Sequence, residues 1–154
     1  MKVKIEIEED LSENEVIIKC SKLNDNIQKI KQMLSEVTFN DINLSFYKND
    51  EECYISLNDI LFFETNNNCL EAHTSKDVYK IKYRLYELEE ILSKEFIRVS
   101  KSAIINLRNV FSISHGLSSS SLVKFYNSHK QVYVSRHYYK YLRVILKERR
   151  NYEK

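Results

Sequence analysis

The stretch FIRVSKSAIIN, residues 96–106, decides how most of this chain folds. Mostly apolar residues lie on either side of three polar residues, Ser100, Lys101 and Ser102. Short apolar runs bounded by small polar residues are typical of β-strands joined by a turn. We therefore predict strands at residues 96–99 and 103–105, with a loop that carries a serine, a lysine and a second serine between them.

The same pattern continues on both sides of this stretch. Asn66, Asn67 and Asn68 lie between two apolar runs and predict a hairpin tip, because asparagine tolerates the left-handed backbone of tight turns. Helical spacing of leucine appears at residues 83–92, and a last basic helix is predicted at 135–147. Further strands are predicted at residues 42–46, 53–55, 60–63, 70–74, 78–81, 110–113, 122–125 and 131–134.

The first 41 residues form a separate unit in this interpretation. Residues 2–8 alternate apolar and polar side chains, and residues 15–20 predict a second strand. Ser21 is the expected cap of a helix with one apolar stripe, made by Leu23, Ile27, Ile30 and Leu34. The predicted organisation is a β-β-α appendage at 1–41, a main domain at 42–148 and a basic tail at 149–154. The fold class is α+β, mostly β, with short helices.

Charge is distributed very unevenly along the chain. Residues 95–154 hold twelve Lys and Arg against three Asp and Glu, and residues 96–147 hold nine basic residues and no acidic one. A basic, solvated face is the simpler interpretation. An anionic partner explains better why 52 residues exclude carboxylates, and nucleic acid is the usual partner of such a surface.

Catalysis is not expected from the residues present. The four histidines lack metal-ligand spacing to cysteine or acid, and a single glycine cannot build a phosphate-binding loop. We therefore predict no catalytic residue, no metal and no cofactor. No apolar run reaches the length of a membrane span, and the first residues do not resemble a signal peptide, so we expect a cytoplasmic protein.

Four segments resemble one family, the LytTR domain of bacterial response regulators. They are YISLNDILFFETNNN, VYKIKYRLYELEE, FIRVSKSAIIN and QVYVSRHYYKYL, and the resemblance covers roughly residues 46–146. The resemblance implies an elongated, mostly-β fold that inserts loops into successive major grooves of double-stranded DNA. It further implies binding to direct repeats as pairs, hence a homodimer on DNA. The appendage resembles that of stand-alone LytTR regulators, which lack a receiver domain.

The resemblance also implies which residues contact DNA. One set lies at the hairpin tip, a second in the loop of the quoted stretch, and a third at the start of the last helix. These residues are Asn67, Asn68, Ser100, Lys101, Ser102, Ser135, Arg136 and His137, and we add Lys140 as a phosphate neighbour further along that helix.

Each of these residues has a structural alternative. The asparagines could serve only the turn, Lys101 could be merely solvated, and Ser135 could be only a helix cap. Arg136 could pair with Glu64 or Glu95 and hold the fold together. One departure from the family pattern stands at residues 117–121, where serines replace a Gly-Arg turn and put a phosphate contact in doubt.

Partners other than DNA are implied less directly. The appendage is expected to mediate self-association or partner contact. Relatives of this kind are often encoded beside a small membrane regulatory protein, which the resemblance offers as a partner. The rival hypothesis is a protein-interaction module, or an antagonist, that keeps the fold without binding DNA.

Overall fold

The computed structural model describes residues 16–40, 42–115 and 120–152 of the chain. Ten strands, three helices and two short 3-10 turns, Leu57–Asp59 and Leu107–Asn109, lie within these residues. In chain order the helices and strands are α1 Asp25–Asn40, β1 Phe46–Lys48, β2 Glu51–Cys53, β3 Phe62–Asn66, β4 Cys69–His73, β5 Val78–Ile81, α2 Leu85–Ile91, β6 Phe96–Arg98, β7 Ala103–Asn106, β8 Val110–His115, β9 Ser121–Phe125, β10 Gln131–Val134 and α3 Arg136–Tyr152.

The strands form two antiparallel sheets. The larger sheet has seven strands in the order β2-β1-β5-β4-β3-β7-β6, and the smaller has three in the order β10-β9-β8. Strands β6 and β7, which come from the quoted stretch, lie at one side of the larger sheet next to β3. The α+β, mostly β class predicted from the sequence is confirmed.

The core lies on both faces of the larger sheet. Successive residues of a strand point to opposite faces, so Phe63 and Ile104 enter one core while Phe62 and Ile105 enter the other. The first core is covered by α2, and the second by the smaller sheet and α3. Each fully buried apolar side chain of this size contributes about 1.5–3 kcal/mol. The uninterrupted apolar runs of the sequence thus reflect a sheet that is buried on both sides.

One buried polar side chain fastens the end of β7. Asn106 has no exposed surface, and its amide donates to the carbonyls of Leu57 at 3.3 Å and Ile60 at 2.9 Å. Its Oδ1 accepts a bond from the Arg108 amide at 3.1 Å. The neighbouring Asn109 donates to the carbonyls of Asn58 and Ile60, both at 2.9 Å. These bonds hold the two 3-10 turns together and fix where β3 begins.

The appendage differs from the prediction. Residues 16–20, the described part of the second predicted strand, form no strand, and Val16 and Ile17 are 68% and 66% exposed. A strand requires a hydrogen-bonded neighbour, and none of the described strands pairs with these residues. The first predicted strand, residues 2–8, lies outside the described residues.

The first helix also begins later than predicted. Its cap is Asn24, whose Oδ1 accepts a bond from the Ile27 amide at 3.0 Å, and not Ser21. Asparagine and serine cap helices about equally well, so residue type alone did not decide between them. Ile27, Ile30 and Leu34 are partly covered, whereas Leu23 precedes the helix and is exposed.

The other boundaries differ by small shifts. Asn49 and Asp50 adopt positive φ and place β2 at 51–53 instead of 53–55. The Leu57–Asp59 turn delays β3 to Phe62. The last helix continues to Tyr152, so residues 149–152 of the predicted tail are helical. The chain holds no proline to stop this helix.

Candidate nucleic-acid interface

The β3–β4 hairpin presents the first set of predicted contact residues. Asn67 and Asn68 connect the paired residues Asn66 and Cys69, with φ of 47° and 63°. Two consecutive positive φ values are the signature of the tight hairpin turn that matches the twist of the strands. The predicted tip is therefore confirmed, and the turn uses the backbone of both asparagines. Their side chains are exposed and available for other contacts.

The loop of the quoted stretch presents the second set. Val99 donates from its amide to the Ala103 carbonyl at 3.0 Å, which closes the loop at its base. Inside the loop, the Ser102 amide donates to Ser100 Oγ at 3.1 Å, and the two serine hydroxyls lie 3.3 Å apart. Both serines are half-buried, whereas Lys101 at the apex is exposed.

Arg98 fills the inner side of this loop. Its Nε donates to the Ser100 carbonyl at 3.0 Å, and its Nη2 donates to the Lys101 carbonyl at 2.7 Å. Its Nη1 donates to Glu89 Oε2 on α2 at 2.8 Å. Sequence reasoning counted Arg98 among the nine basic residues of the acid-free stretch. The structure instead gives it partners within the protein at all three nitrogens.

The start of α3 presents the third set. The Ser135 carbonyl accepts from the amides of Tyr138 and Tyr139, both at 3.1 Å, and so begins the helix. Arg136, His137 and Lys140 follow and are exposed. On the opposite side of the helix, Leu142 is fully buried in the second core. The helix thus presents a basic outer face beside an apolar inner one.

Main-chain hydrogen bonds join the three sets at one end of the domain. The Thr65 amide donates to the Ser102 carbonyl at 2.8 Å, which ties the hairpin to the loop. The Ser135 amide donates to the Val99 carbonyl at 2.9 Å, which ties the start of α3 to the same loop. A shallow depression of about 390 Å³ lies among them, lined by Glu64, Ser100, Ser102, Ser120 and residues 131–135.

The nine basic residues of the acid-free stretch divide into two groups by the exposure of their side chains. Three are half-buried: Arg98, Arg108, which bonds Asn58 and lies 3.9 Å from Glu95, and Lys130, which donates to the Asp77 carbonyl at 2.7 Å. Burial lowers the pKa of Lys130. The exposed group is Lys101, Lys124, Arg136, Lys140, Arg143 and Lys147.

Two carboxylates beside the strands of the larger sheet have defined surroundings. Glu95 pairs with Arg149 of α3 and lies near Arg108, so it fastens the last helix to the strands. Glu64 is half-buried, and burial together with the negative charge of Glu71 raises the pKa of its carboxyl.

Three structural features escaped the sequence analysis. Neither the loop-holding role of Arg98 nor the buried amide of Asn106 was predicted, although both residues belong to the quoted stretch. A charged residue within an apolar strand, as Arg98 is, was the available signal. Tyr133 was a third omission, since it lines the depression and is 69% exposed.

Comparison with known proteins settles the family. The LytTr DNA-binding domain model matches residues 50–147. The chain belongs to the LytTR family. An uncharacterised HTH-type transcriptional regulator of Staphylococcus aureus strain NCTC 8325 is 36% identical over 106 residues, which cover 69% of this chain and 71% of that protein. A regulator of the same description from strain MRSA252 is 35% identical over the same length.

A solved structure supports the LytTR fold independently. The LytTr DNA-binding domain of a Bacillus cereus response regulator superposes with a TM-score of 0.62 and 24% identity, covering 68% of this chain and 97% of that domain. In the LytTR protein described here, α2 and α3 are separated by five strands, so they do not form the adjacent helix pair that the relatives' HTH label suggests.

The LytTR family is one of DNA-binding regulatory domains and is not an enzyme family. Among the described residues, no group of three His, Cys, Asp or Glu is arranged to hold a metal ion. Within the same part of the chain, none of the helices combines the length and apolar character needed to cross a bilayer.

Proposed function

We propose that this LytTR protein is a sequence-specific regulator of transcription that inserts the hairpin tip, the 99–102 loop and the start of α3 into grooves of double-stranded DNA. The observation that carries the proposal is the pair of main-chain hydrogen bonds at 2.8 and 2.9 Å that joins all three segments. Residues far apart in sequence, Asn67, Lys101 and Arg136, thereby belong to one end of the domain. Exposed cations accompany them there and along α3.

The side chains suit different tasks on DNA. Arg136 carries a planar fork that can pair with O6 and N7 of guanine, and the amides of Asn67 and Asn68 can pair with adenine. Lys101 reaches out from the loop apex and can read guanine in the same groove. The hydroxyls of Ser100, Ser102 and Ser135 can either donate or accept a hydrogen bond. Lys140 lies one turn beyond Arg136 and acts as a point charge toward phosphate.

Pairing on DNA completes the proposal. Two copies occupy direct repeats, with residues 42–148 of each copy binding a half-site and the appendage mediating contact between copies or with another protein. A small membrane protein is the regulatory partner implied by the family resemblance. The amphipathic pattern of α1, with Ile27, Ile30 and Leu34 only partly covered, supports a role in such contacts.

Replacement of Arg136 and of Lys140 by alanine tests the proposal. With a panel of base-substituted operators from the protein's own promoter, Arg136→Ala should lower specific affinity about 5- to 150-fold and remove the preference at one base pair per half-site. Lys140→Ala is the matched control on the same helix face. It should weaken all sequences about equally and make the salt slope shallower by about one.

Two outcomes contradict this assignment. If Arg136→Ala melts earlier and loses specific and non-specific binding together, Arg136 supports the fold and does not read bases. If the unaltered protein binds no duplex in a gel shift at low salt and is not retained on heparin, the rival interpretation as a protein-interaction module is supported instead.

A further inference from the structure

We infer that Arg98 is a positioning residue for DNA recognition, which holds the 99–102 loop in one conformation and thereby fixes where Lys101 stands. This inference rests on the proposed function, since Lys101 is taken to contact DNA. Arg98 itself does not reach DNA in this assignment. Its side chain is only 21% exposed and lies against the inner side of the loop.

The geometry of the guanidinium supports this role. Its Nε and Nη2 donate to two successive carbonyls, Ser100 at 3.0 Å and Lys101 at 2.7 Å. Two carbonyls bound by one rigid, planar group cannot rotate independently. The peptide unit between Ser100 and Lys101 and the one after it are therefore both fixed by a single side chain.

Other bonds fix the loop on its far side. The Ser102 amide donates to Ser100 Oγ at 3.1 Å, and the Ser102 carbonyl accepts from the Thr65 amide at 2.8 Å. Lys101 therefore lies between anchored neighbours, while its own side chain is exposed. Ordering a loop before binding removes an entropy cost that a flexible loop would incur on DNA.

Glu89 orients Arg98 from the opposite side. Its Oε2 accepts from Nη1 at 2.8 Å, and it belongs to α2, which packs on the first core. The carboxylate balances the charge of Arg98, so this guanidinium adds little to the attraction of phosphate. Arg98 is therefore expected to act on affinity through loop order, with the salt dependence of binding unchanged.

A double-mutant cycle between Arg98 and Lys101 tests the inference. Arg98→Lys keeps the positive charge, but a single ammonium group cannot hold two carbonyls in the fixed geometry of the planar guanidinium. It should lower specific affinity for the operator about 5- to 10-fold, the size expected when one ordered segment becomes flexible, and change non-specific affinity less than about twofold. In a Lys101→Ala background the same substitution should cost clearly less than in the wild type, because the Lys101 side chain is absent and only Ser100 and Ser102 remain to be positioned.

Glu89→Gln provides a second variant that leaves Arg98 in place. Glu89 is half-exposed, so this change should not affect folding, and it should give a smaller loss of specific affinity than Arg98→Lys. Equal losses from Arg98→Lys in both backgrounds would overturn the inference. So would a parallel fall of specific and non-specific binding with an earlier melting temperature.

A measurement without DNA separates this inference from the proposed function. In the full chain, the ¹⁵N–¹H heteronuclear NOE of the Lys101 and Ser102 amides should fall in Arg98→Lys and stay at the wild-type value in Lys101→Ala. Unchanged values in Arg98→Lys would refute loop positioning even if the protein binds its operator. Lowered values together with no operator preference in the wild type would refute the proposed function and leave the positioning role supported.

Discussion

The response of DNA affinity to salt follows from the number of exposed cations. Of the nine basic residues between 96 and 147, the three half-buried ones, Arg98, Arg108 and Lys130, should contribute little, which leaves six exposed ones. Each phosphate neutralised lowers the slope of log affinity against log salt by about 0.9, so six contacts set a limit near −5 per protomer. Lys124 lies on the smaller sheet and Lys147 far along α3, and we therefore expect a slope between about −3 and −5.

The expected loss is large enough to measure directly. Between about 50 and 200 mM salt, such slopes predict a fall in affinity of roughly 60- to 1,000-fold, which fluorescence anisotropy with a single half-site resolves. Arg143→Gln should make the slope shallower by about 0.9. Lys130→Gln is the matched control, because its ammonium already donates to the Asp77 carbonyl, and it should leave the slope unchanged. A slope flatter than about −1, or equal effects of the two substitutions, would refute this count of contacts.

Three further predictions concern the buried Asn106 amide, the buried His73 imidazole and the appendage. Asn106→Ala removes three hydrogen bonds and should lower the free energy of unfolding by about 3 kcal/mol, which corresponds to a fall in melting temperature of roughly 6–12 °C. Asn109→Ala removes two hydrogen bonds and should lower the melting temperature less. Equal shifts in melting temperature would contradict the special role of the buried Asn106 amide. Burial, reinforced by the charge of Lys130, lowers the pKa of His73 from 6.5 to about 4. Because the neutral imidazole is the form that the fold accommodates, the free energy of unfolding should be highest above pH 6.5 and should fall by about 2–3 kcal/mol as the pH is lowered through 4. Urea unfolding measured across this pH range should show a smaller fall for His73→Leu. A chain that begins at residue 42 should still bind one half-site but lose cooperativity on two, and full cooperativity would exclude the appendage from pairing.

The strands were largely predictable because period-two patterning and asparagine turns act locally. Residues 78–81 and 131–134 were placed at their observed bounds, and the tip at Asn67 and Asn68 was recognised from residue type alone. The predicted strand at 15–20 failed because a three-residue apolar run is ambiguous without knowledge of a neighbour. Strand pairing and strand order are long-range properties, which the pattern along one strand does not contain.

The predicted contact residues illustrate a second limit. Sequence identified the hairpin tip, Lys101 and the start of α3 through family resemblance, yet the charge pattern alone counted Arg98 with the exposed basic residues of the acid-free stretch. Arg98 and Lys101 are three positions apart and equally charged in the sequence. Only the fold shows that one faces the Ser100 and Lys101 carbonyls and the other faces solvent. Contacts made across 9 to 54 residues, such as those of Arg98 with Glu89 and Arg149 with Glu95, are invisible to local patterns.

The bonds that join the hairpin, the loop and the start of α3 use backbone atoms alone, at Thr65, Val99, Ser102 and Ser135. Backbone atoms are the same whichever side chain a residue carries, so these bonds do not depend on the side chains that the proposed function assigns to DNA contact. Under that proposal, substitutions at Lys101 or His137 should change which operator is preferred while leaving the spacing of the three segments intact. Such a domain could diverge toward new promoters through single substitutions, and libraries limited to these exposed positions offer a route to regulators of chosen specificity.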